Sequence, residues 1–335
     1  GFLTAQGFPT HVGVVGPLAS NWDRACELYA YIRGGRVDYG AAHAVRYGHA
    51  RYGRTFPGLL PDWGVSAVDE RVHLVGHSQG GQTIRVLAGL LANGDRAERE
   101  AAGEAGLHPL FRGGQHLVHS ITTLATPHDG SSLATILRDD ADYLLNWLLA
   151  LASHIRRNHD DPPEYDFKLD QWNIAPREGE SEEDYRRRLA DSHIWNQPDI
   201  SVWDLRPAGA MQINQHYPAV DNIYYFSWGT QDTLAGPLGG RHVPGTGMNL
   251  ALIAPAVAIG GYLKTTPLEP GLPDLDRTWW PNDGVVNTIS MSGPKIGSRD
   301  PIINPGYGAE PPVIKPGIWH FMGVLAGWDH LDVVG

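Results

Sequence analysis

A serine between two glycines, Gly76-His77-Ser78-Gln79-Gly80, joins an apolar run, Arg71 to Val75, to a helical pattern with apolar residues at Ile84, Leu87, Ala88 and Leu91. This junction constrains the chain more than any other feature. A G-x-S-x-G pentapeptide that closes a buried strand and opens a helix makes a sharp turn, and the turn lifts the serine oxygen above the strand ends. The glycines have a steric reason, because side chains in so tight a turn would clash, and the serine is driven into a strained backbone conformation. The amide of Gln79, at the helix start, can then donate to a developing oxyanion. A serine that merely caps the helix is the competing reading of the same residues.

A nucleophilic serine on this turn needs a carboxylate and a histidine in the order Ser, acid, His. Asp283 lies in Trp279-Trp-Pro-Asn-Asp-Gly284, a turn able to present a carboxylate from a rigid base, although Asn-Asp-Gly is also an ordinary turn sequence. His330, in Trp328-Asp-His-Leu-Asp332, is the natural last member, and His216, His242 and His320 stay open as alternatives.

The rest of the chain supplies an α/β frame. Thr10 to Val15 reads as a short strand, and Ser20-Asn-Trp-Asp23 as a cap opening a helix through about Ile32. Leu117 to Ala125 is a second strand, ending in Thr126-Pro-His-Asp-Gly130; Tyr224 to Trp228 is another. Strands alternating with helices imply a mostly parallel sheet. Leu133 to Ile155 is an apolar helical stretch of the kind that covers a pocket. Ser181 to Leu189 is a surface helix with Glu182/Arg186, Glu183/Arg187 and Asp184/Arg188 pairs. Val243 to Leu263 carries no charge, but its prolines and glycines make it a loop, a short buried helix and a loop rather than a membrane span.

With 42% hydrophobic and 19% charged residues among 335, the chain can build a sizeable core, which excludes global disorder. Its net charge of −11 argues against nucleic-acid binding. Cys26 is the single cysteine, so no intramolecular disulfide is possible, and the fold depends on its core or on metal ions. The segment from Gly34 to Pro61 is rich in Gly, Tyr, His and Arg without periodicity, which suggests a functional or metal-bound excursion. His43 and His49 within it could join carboxylates in a zinc site or be plain surface histidines, and Asp23 already suits a helix N-terminus.

Taken together, these residues resemble the zinc-containing thermoalkalophilic bacterial lipases and their staphylococcal lipase relatives. The likeness runs through Gly16-Pro-Leu-Ala-Ser-Asn-Trp-Asp-Arg-Ala-Cys-Glu27, Val37-Asp-Tyr-Gly-Ala-Ala-His43, Gly48-His-Ala-Arg51, Arg54-Thr-Phe-Pro-Gly-Leu-Leu60, His77-Ser-Gln-Gly-Gly-Gln82, Ala125-Thr-Pro-His-Asp-Gly130, Asp166-Phe-Lys-Leu-Asp-Gln-Trp172 and Asn282-Asp-Gly-Val-Val-Asn287. It implies an α/β-hydrolase fold over residues 1–335, a mostly parallel sheet flanked by helices, with a zinc-binding excursion at 34–61 and a lid and cap insertion at 133–205. It further implies Ser78 as nucleophile, Asp283 as orienting acid, His330 as base, and a structural zinc held by Asp23, His43, His49 and Asp204. Calcium is implied near the histidine loop, with a backbone oxygen from Gly247 and with Asp332 where the family usually has glutamate; the Asp-Pro pair that supplies further oxygens in the family does not follow Asp332 here.

Relatives begin with a strand ending in His-Gly and an aromatic residue whose amide completes the oxyanion hole. No His-Gly dipeptide occurs in this sequence, so either that first strand is omitted, which is the expectation, or the protein lacks one oxyanion donor. The implied activity is a secreted carboxylic ester hydrolase of triacylglycerol-lipase type that meets lipid or ester substrates at an interface. A shorter-chain esterase or polyester hydrolase with an open cleft is the nearest alternative. A zinc-bound scaffold without catalysis is the alternative from another class.

Overall fold

The computed structural model describes residues 2–65, 71–137, 166–265, 270–305 and 313–334. After a one-turn helix α1 (Phe2–Ala5), the chain runs irregularly to α2 (Asn21–Arg33), whose N-cap Ser20 accepts the amide of Asp23. The excursion follows as β1 (Gly35–Asp38), α3 (Ala41–Tyr47) and β2 (Tyr52–Phe56), with β1 and β2 paired antiparallel. Then come β3 (Val72–His77), α4 (Gln79–Asn93), α5 (Arg96–Gly106), β4 (Val118–Leu124), α6 (Ser132–Ile136), β5 (Tyr224–Gln231), the antiparallel pair β6 (Thr233–Gly236) and β7 (Gly240–Pro244), and finally β8 (Ile302–Ile303) and β9 (Trp319–Ala326).

The central sheet has the order β3-β4-β5-β9-β8, and every neighbouring pair is parallel. Parallel strands need crossovers that cover the sheet faces, which is why the strands read as apolar runs. The main core closes between the sheet and two helices: Ala25, Tyr29 and Ala30 of α2 and Val86, Leu87, Leu90 and Leu91 of α4 pack with Val118, Ile121, Tyr225 and Trp319 of the strands. Arg85 is buried in the same helix, where its guanidinium donates to Asn214 Oδ1 and to the Tyr217 carbonyl.

Three local expectations change. Thr10 to Val15 is not a strand: Val12 and Val14 are exposed, and their carbonyls accept from Tyr31 Oη and Lys168 Nζ instead of from a ladder. Strand propensity needs a pleated neighbour to pack on, and no described strand lies beside this segment. The helix within Val243 to Leu263 (Leu250–Ile259) buries Leu252, Ala256 and Ile259 but leaves Leu250 and Val257 in solvent, so it is half-buried rather than enclosed. The helix expected from Ser181 (Glu182–Ala190) forms with two of its three predicted pairs; Arg188 reaches back to Glu180 instead of Asp184. The apolar helix predicted from Leu133 begins as α6, and from residue 138 onward it lies outside the described residues.

Candidate active site and metal centre

The elbow between β3 and α4 places Ser78 at φ 54° and ψ −132°, a positive-φ conformation that non-glycine residues rarely adopt. Its amide donates to the carbonyl of Leu124 at 2.9 Å, which ties the turn to the end of β4. The steric demand for glycine falls unevenly. A Cβ on Gly76 would lie 2.6 Å from the Gly80 carbonyl, and one on Gly81 would strike the Thr126 side chain, whereas Gly80 has nothing within 4 Å. The expectation that both motif glycines avoid a clash therefore holds for Gly76 and not for Gly80. The Ser78 side chain makes no capping hydrogen bond to α4, which removes the reading of this serine as a helix cap. Gln79 is the first residue of α4, where backbone amides have no partner within the helix.

Asp283 and His330 meet at the carboxyl ends of the strands. His330 Nδ1 lies 2.7 Å from Asp283 Oδ2, and both residues are buried. The second oxygen of Asp283 accepts the amides of Val285 and Val286 at 3.0 and 2.8 Å, and Thr230 Oγ1 donates to Oδ2 at 2.7 Å. Burial raises the Asp283 carboxyl pKa, but the His330 charge and hydrogen bond, the Val286 amide and the Thr230 hydroxyl outweigh it and hold it below the usual carboxylate range. The His330 amide donates to the Asp283 carbonyl at 2.9 Å, so the two loops are also clamped through backbone. Gly284 turns here at φ 100°, with Leu252 packed where a Cβ would stand. The His330 ring lies against the ring of His77, the residue before Ser78, with centroids 4.6 Å apart.

The rival histidines sit elsewhere. His320 is fully buried between the Tyr225 carbonyl and the Lys315 amide, His242 lies beside Thr233, and His216 faces the Gln212 carbonyl.

A second cluster gathers Asp23 from α2, His43 from α3, His49 and Asp199, with their donor atoms all within 4.8 Å of one another. His43 Nε2 is 3.1 Å from Asp199 Oδ2 and 3.4 Å from Asp23 Oδ1, and His49 Nε2 is 3.2 Å from Asp199 Oδ2. Four ligands about 2.0–2.1 Å from a tetrahedral ion stand about 3.3 Å apart, so these separations suit a shared cation. Asp23 Oδ1 and His49 Nε2 are buried without a hydrogen-bond partner, as ligand atoms would be. Burial lowers the basicity of His43, but Asp199 and Asp23 outweigh it and push its pKa up to about 9. Outer contacts orient the group: Gln171 Nε2 donates to Asp23 Oδ2 at 2.7 Å, His49 Nδ1 meets the Ala50 carbonyl at 2.9 Å, and Trp22 stacks on His43.

Asp204 is not part of this cluster, which corrects the expected ligand set. Its Oδ2 accepts the backbone amide and the side-chain nitrogen of Asn21 at 2.6 and 3.0 Å, pinning the start of α2. Asp199 fills the fourth position because Ala19 and Ile200 form a β-bridge that aims the preceding residue at the histidines, while Asp204 lies in the next helical turn (Ser201–Asp204). Only the spacing of two aspartates five residues apart was visible in sequence, and no motif distinguishes Asp199.

The segments expected to hold calcium meet around Asp329. The turn after Gly247 meets Asp329, whose Oδ2 accepts the Asn249 amide, and Asp332 Oδ2 accepts the Asp329 amide. Asp232 completes an acidic group here; burial, then Asp329 and Asp332, push its pKa up, and its Oδ2 has no partner.

Comparison with known proteins agrees with this architecture. The chain is 38% identical to a lipase of Staphylococcus hyicus across 99% of its own length and 48% of that protein, so it spans about half the length of the curated relatives it matches. Among solved structures it is similar to EstA from Clostridium botulinum (TM-score 0.88, 43% identity, 99% of this chain and 75% of that one). It is similar also to lipase 1 from Pelosinus fermentans (TM-score 0.85, 44% identity, 100% and 85%). The parallel sheet flanked by helices is the α/β-hydrolase fold expected from the sequence. The sequence model of the lipase-like C-terminal domain matches residues 2–335, and the chain belongs to that family.

Proposed function

We propose that this chain is a serine carboxylic ester hydrolase of triacylglycerol-lipase type. The observation that carries the reading is the buried 2.7 Å contact between Asp283 and His330, set against an elbow whose serine makes no cap. Asp283 fixes Nδ1 of the imidazole and leaves Nε2 for the serine. Ser78 attacks the ester carbonyl while His330 takes its proton, and the Gln79 amide donates to the oxyanion. The tetrahedral intermediate collapses to an acyl-serine as His330 protonates the departing alcohol, and water enters by the same route in reverse order. Asp283 stays ionised throughout and stabilises the imidazolium, in keeping with its depressed pKa.

Initial rates on p-nitrophenyl esters from short to long acyl chains, with Ser78→Ala measured alongside, test this. Activity lost with Ser78 and a long-chain optimum support the lipase reading, whereas a short-chain optimum supports an esterase or polyester hydrolase. A full-length chain inert on every ester favours the zinc-bound scaffold. Export from the cell is part of the proposal, resting on the family likeness; among the described residues no helix is long and apolar enough to cross a membrane.

The metal proposed for Asp23, His43, His49 and Asp199 is zinc in a structural role, because four protein donors leave no open position. It would cross-link α2, the excursion and the Asp199 segment. Calcium beside Gly247 and Asp332 is supported by the unpartnered carboxylate oxygen of Asp232. Saturating calcium chloride is then expected to raise the melting temperature of the wild type and not of Asp232→Asn; no shift in the wild type removes this cation.

A further inference from the structure

The donors to the Asp283 carboxylate divide unevenly in kind between its two oxygens. Oδ1 takes the amides of Val285 and Val286, both from the acid's own loop. Oδ2 takes His330 Nδ1 and Thr230 Oγ1, each at 2.7 Å. Among the described residues, the oxygen that orients the base is therefore held by one group besides the base itself, and that group is a hydroxyl. An ionised carboxylate only accepts, so the threonine must donate. The Met291 sulfur, 3.4 Å from Oγ1, is a longer and weaker alternative acceptor.

Thr230 has little freedom of its own. It is 1% exposed, lies near the end of β5 and pairs with Leu325 of β9. Its amide donates to Met291 Sδ at 3.1 Å, and its carbonyl accepts Thr288 Oγ1 at 3.0 Å. A β-branched side chain is stiff at χ1, so the strand dictates where this hydroxyl points. The next residue, Gln231, forms a bridge with Trp328, and its carbonyl accepts the Gly327 amide at 2.8 Å. The end of β5 thus reaches the acid through Thr230 and the loop of the base through Gln231.

We propose that Thr230 is a positioning residue for the acid and the base: its hydroxyl anchors Asp283 Oδ2 to the central sheet, so that the carboxylate holds the His330 ring in the orientation that proton transfer from Ser78 requires. The inference rests on the ester-hydrolase reading and adds to it the group that fixes the orienting oxygen. The acid loop alone does not supply this, because its two amides are spent on Oδ1 and leave Oδ2 to the base. A hydrogen bond to an ionised acceptor is stronger than one between neutral groups, and a strand in a parallel sheet is a rigid place to make it from. Proton transfer is sensitive to the alignment so secured, since small misplacements of a reacting group cost rate out of proportion to their size.

Two substitutions separate the hydroxyl from the shape of the side chain. Thr230→Val keeps the branched shape without the donor, and Thr230→Ser keeps the donor without the methyl. On p-nitrophenyl butyrate, Thr230→Val is expected to lose about 10-fold or more in kcat with KM within about twofold, and Thr230→Ser to stay within about threefold of wild type in both. Proton NMR of the far-downfield hydrogen between His330 and Asp283 supplies a readout independent of turnover: sharp in wild type and Thr230→Ser, broadened in Thr230→Val as Oδ2 loses its anchor. Wild-type kcat in Thr230→Val, Thr230→Ser as slow as Thr230→Val, a loss carried by KM instead of kcat, or an equally sharp resonance in all three proteins overturns the proposal. If Thr230→Val does not fold, Thr230→Ala takes its place in the same comparison. Ser78→Ala keeping the wild-type rate would sink the hydrolase reading by itself, and the resonance would still decide the role of Thr230.

Discussion

Removing the fourth metal ligand discriminates between two aspartates that look equivalent in sequence. Asp199 stands 3.1 and 3.2 Å from the two histidine nitrogens, whereas Asp204 spends its Oδ2 on Asn21. Asp199→Ala should therefore abolish tight zinc binding, and Asp204→Ala should leave one zinc per chain. The size of the effect follows from linkage: a zinc ion present at about a thousand times its dissociation constant stabilises the folded state by about 4 kcal/mol. At about 2.1 cal/mol/K per residue, a chain of 335 residues has an unfolding entropy near 0.7 kcal/mol/K, so losing the ion lowers the melting temperature by about 6 °C. The assay is elemental analysis after dialysis, paired with calorimetric melting with and without EDTA. Wild type and Asp204→Ala should fall by that amount in EDTA, and Asp199→Ala should not respond. Zinc retained by Asp199→Ala and lost from Asp204→Ala would refute the ligand set, and a wild type indifferent to EDTA would refute the structural role.

Two further outcomes are expected. Gly76→Ala, whose Cβ would stand 2.6 Å from backbone atoms of Gly80 and Gly81, should cost about 2 kcal/mol or more in urea unfolding, whereas Gly80→Ala, with open space around it, should stay within about 1 kcal/mol; equal losses would refute the steric account. In EDTA-treated protein, burial and then the negative charge of Asp199 raise the Asp204 carboxyl from 3.8 to about 7. A carboxyl pKa raised on folding gives a contribution that is fully present below the unfolded value and is lost as pH rises through the folded one. Wild type should accordingly lose stability relative to Asp204→Asn between about pH 4 and 7, and parallel melting curves across that window would contradict the shift.

How much of the site was legible depended on whether a residue's task is local. The elbow was readable because a strand, a tight turn and a helix are consecutive, and Gly76, Ser78 and Gln79 act through their own backbone. Chain order named acid and base candidates but left His216, His242 and His320 open; the family resemblance pointed to His330, and the fold places it 2.7 Å from Asp283. A hydrogen bond across 47 residues has no sequence signature beyond that order.

The sequence by itself determined the class of fold, the tight strand-to-helix turn that carries Ser78 and the presence of histidines suited to a metal, since these rest on periodicity, glycine placement and side-chain chemistry. Tertiary structure decided which aspartate completes the metal cluster, which strand candidate finds a neighbour and which histidine meets the acid. Asp199 and Asp204 have the same chemistry, and the fold separates them by placing Asp199 against the two histidines and Asp204 against Asn21. Thr10 to Val15 has the pattern of a strand, yet a ladder requires a partner, and its carbonyls were taken by Tyr31 and Lys168 instead. Local propensity states what a segment can form; pairing and coordination belong to at least two segments, and their positions are fixed only when the core between them closes.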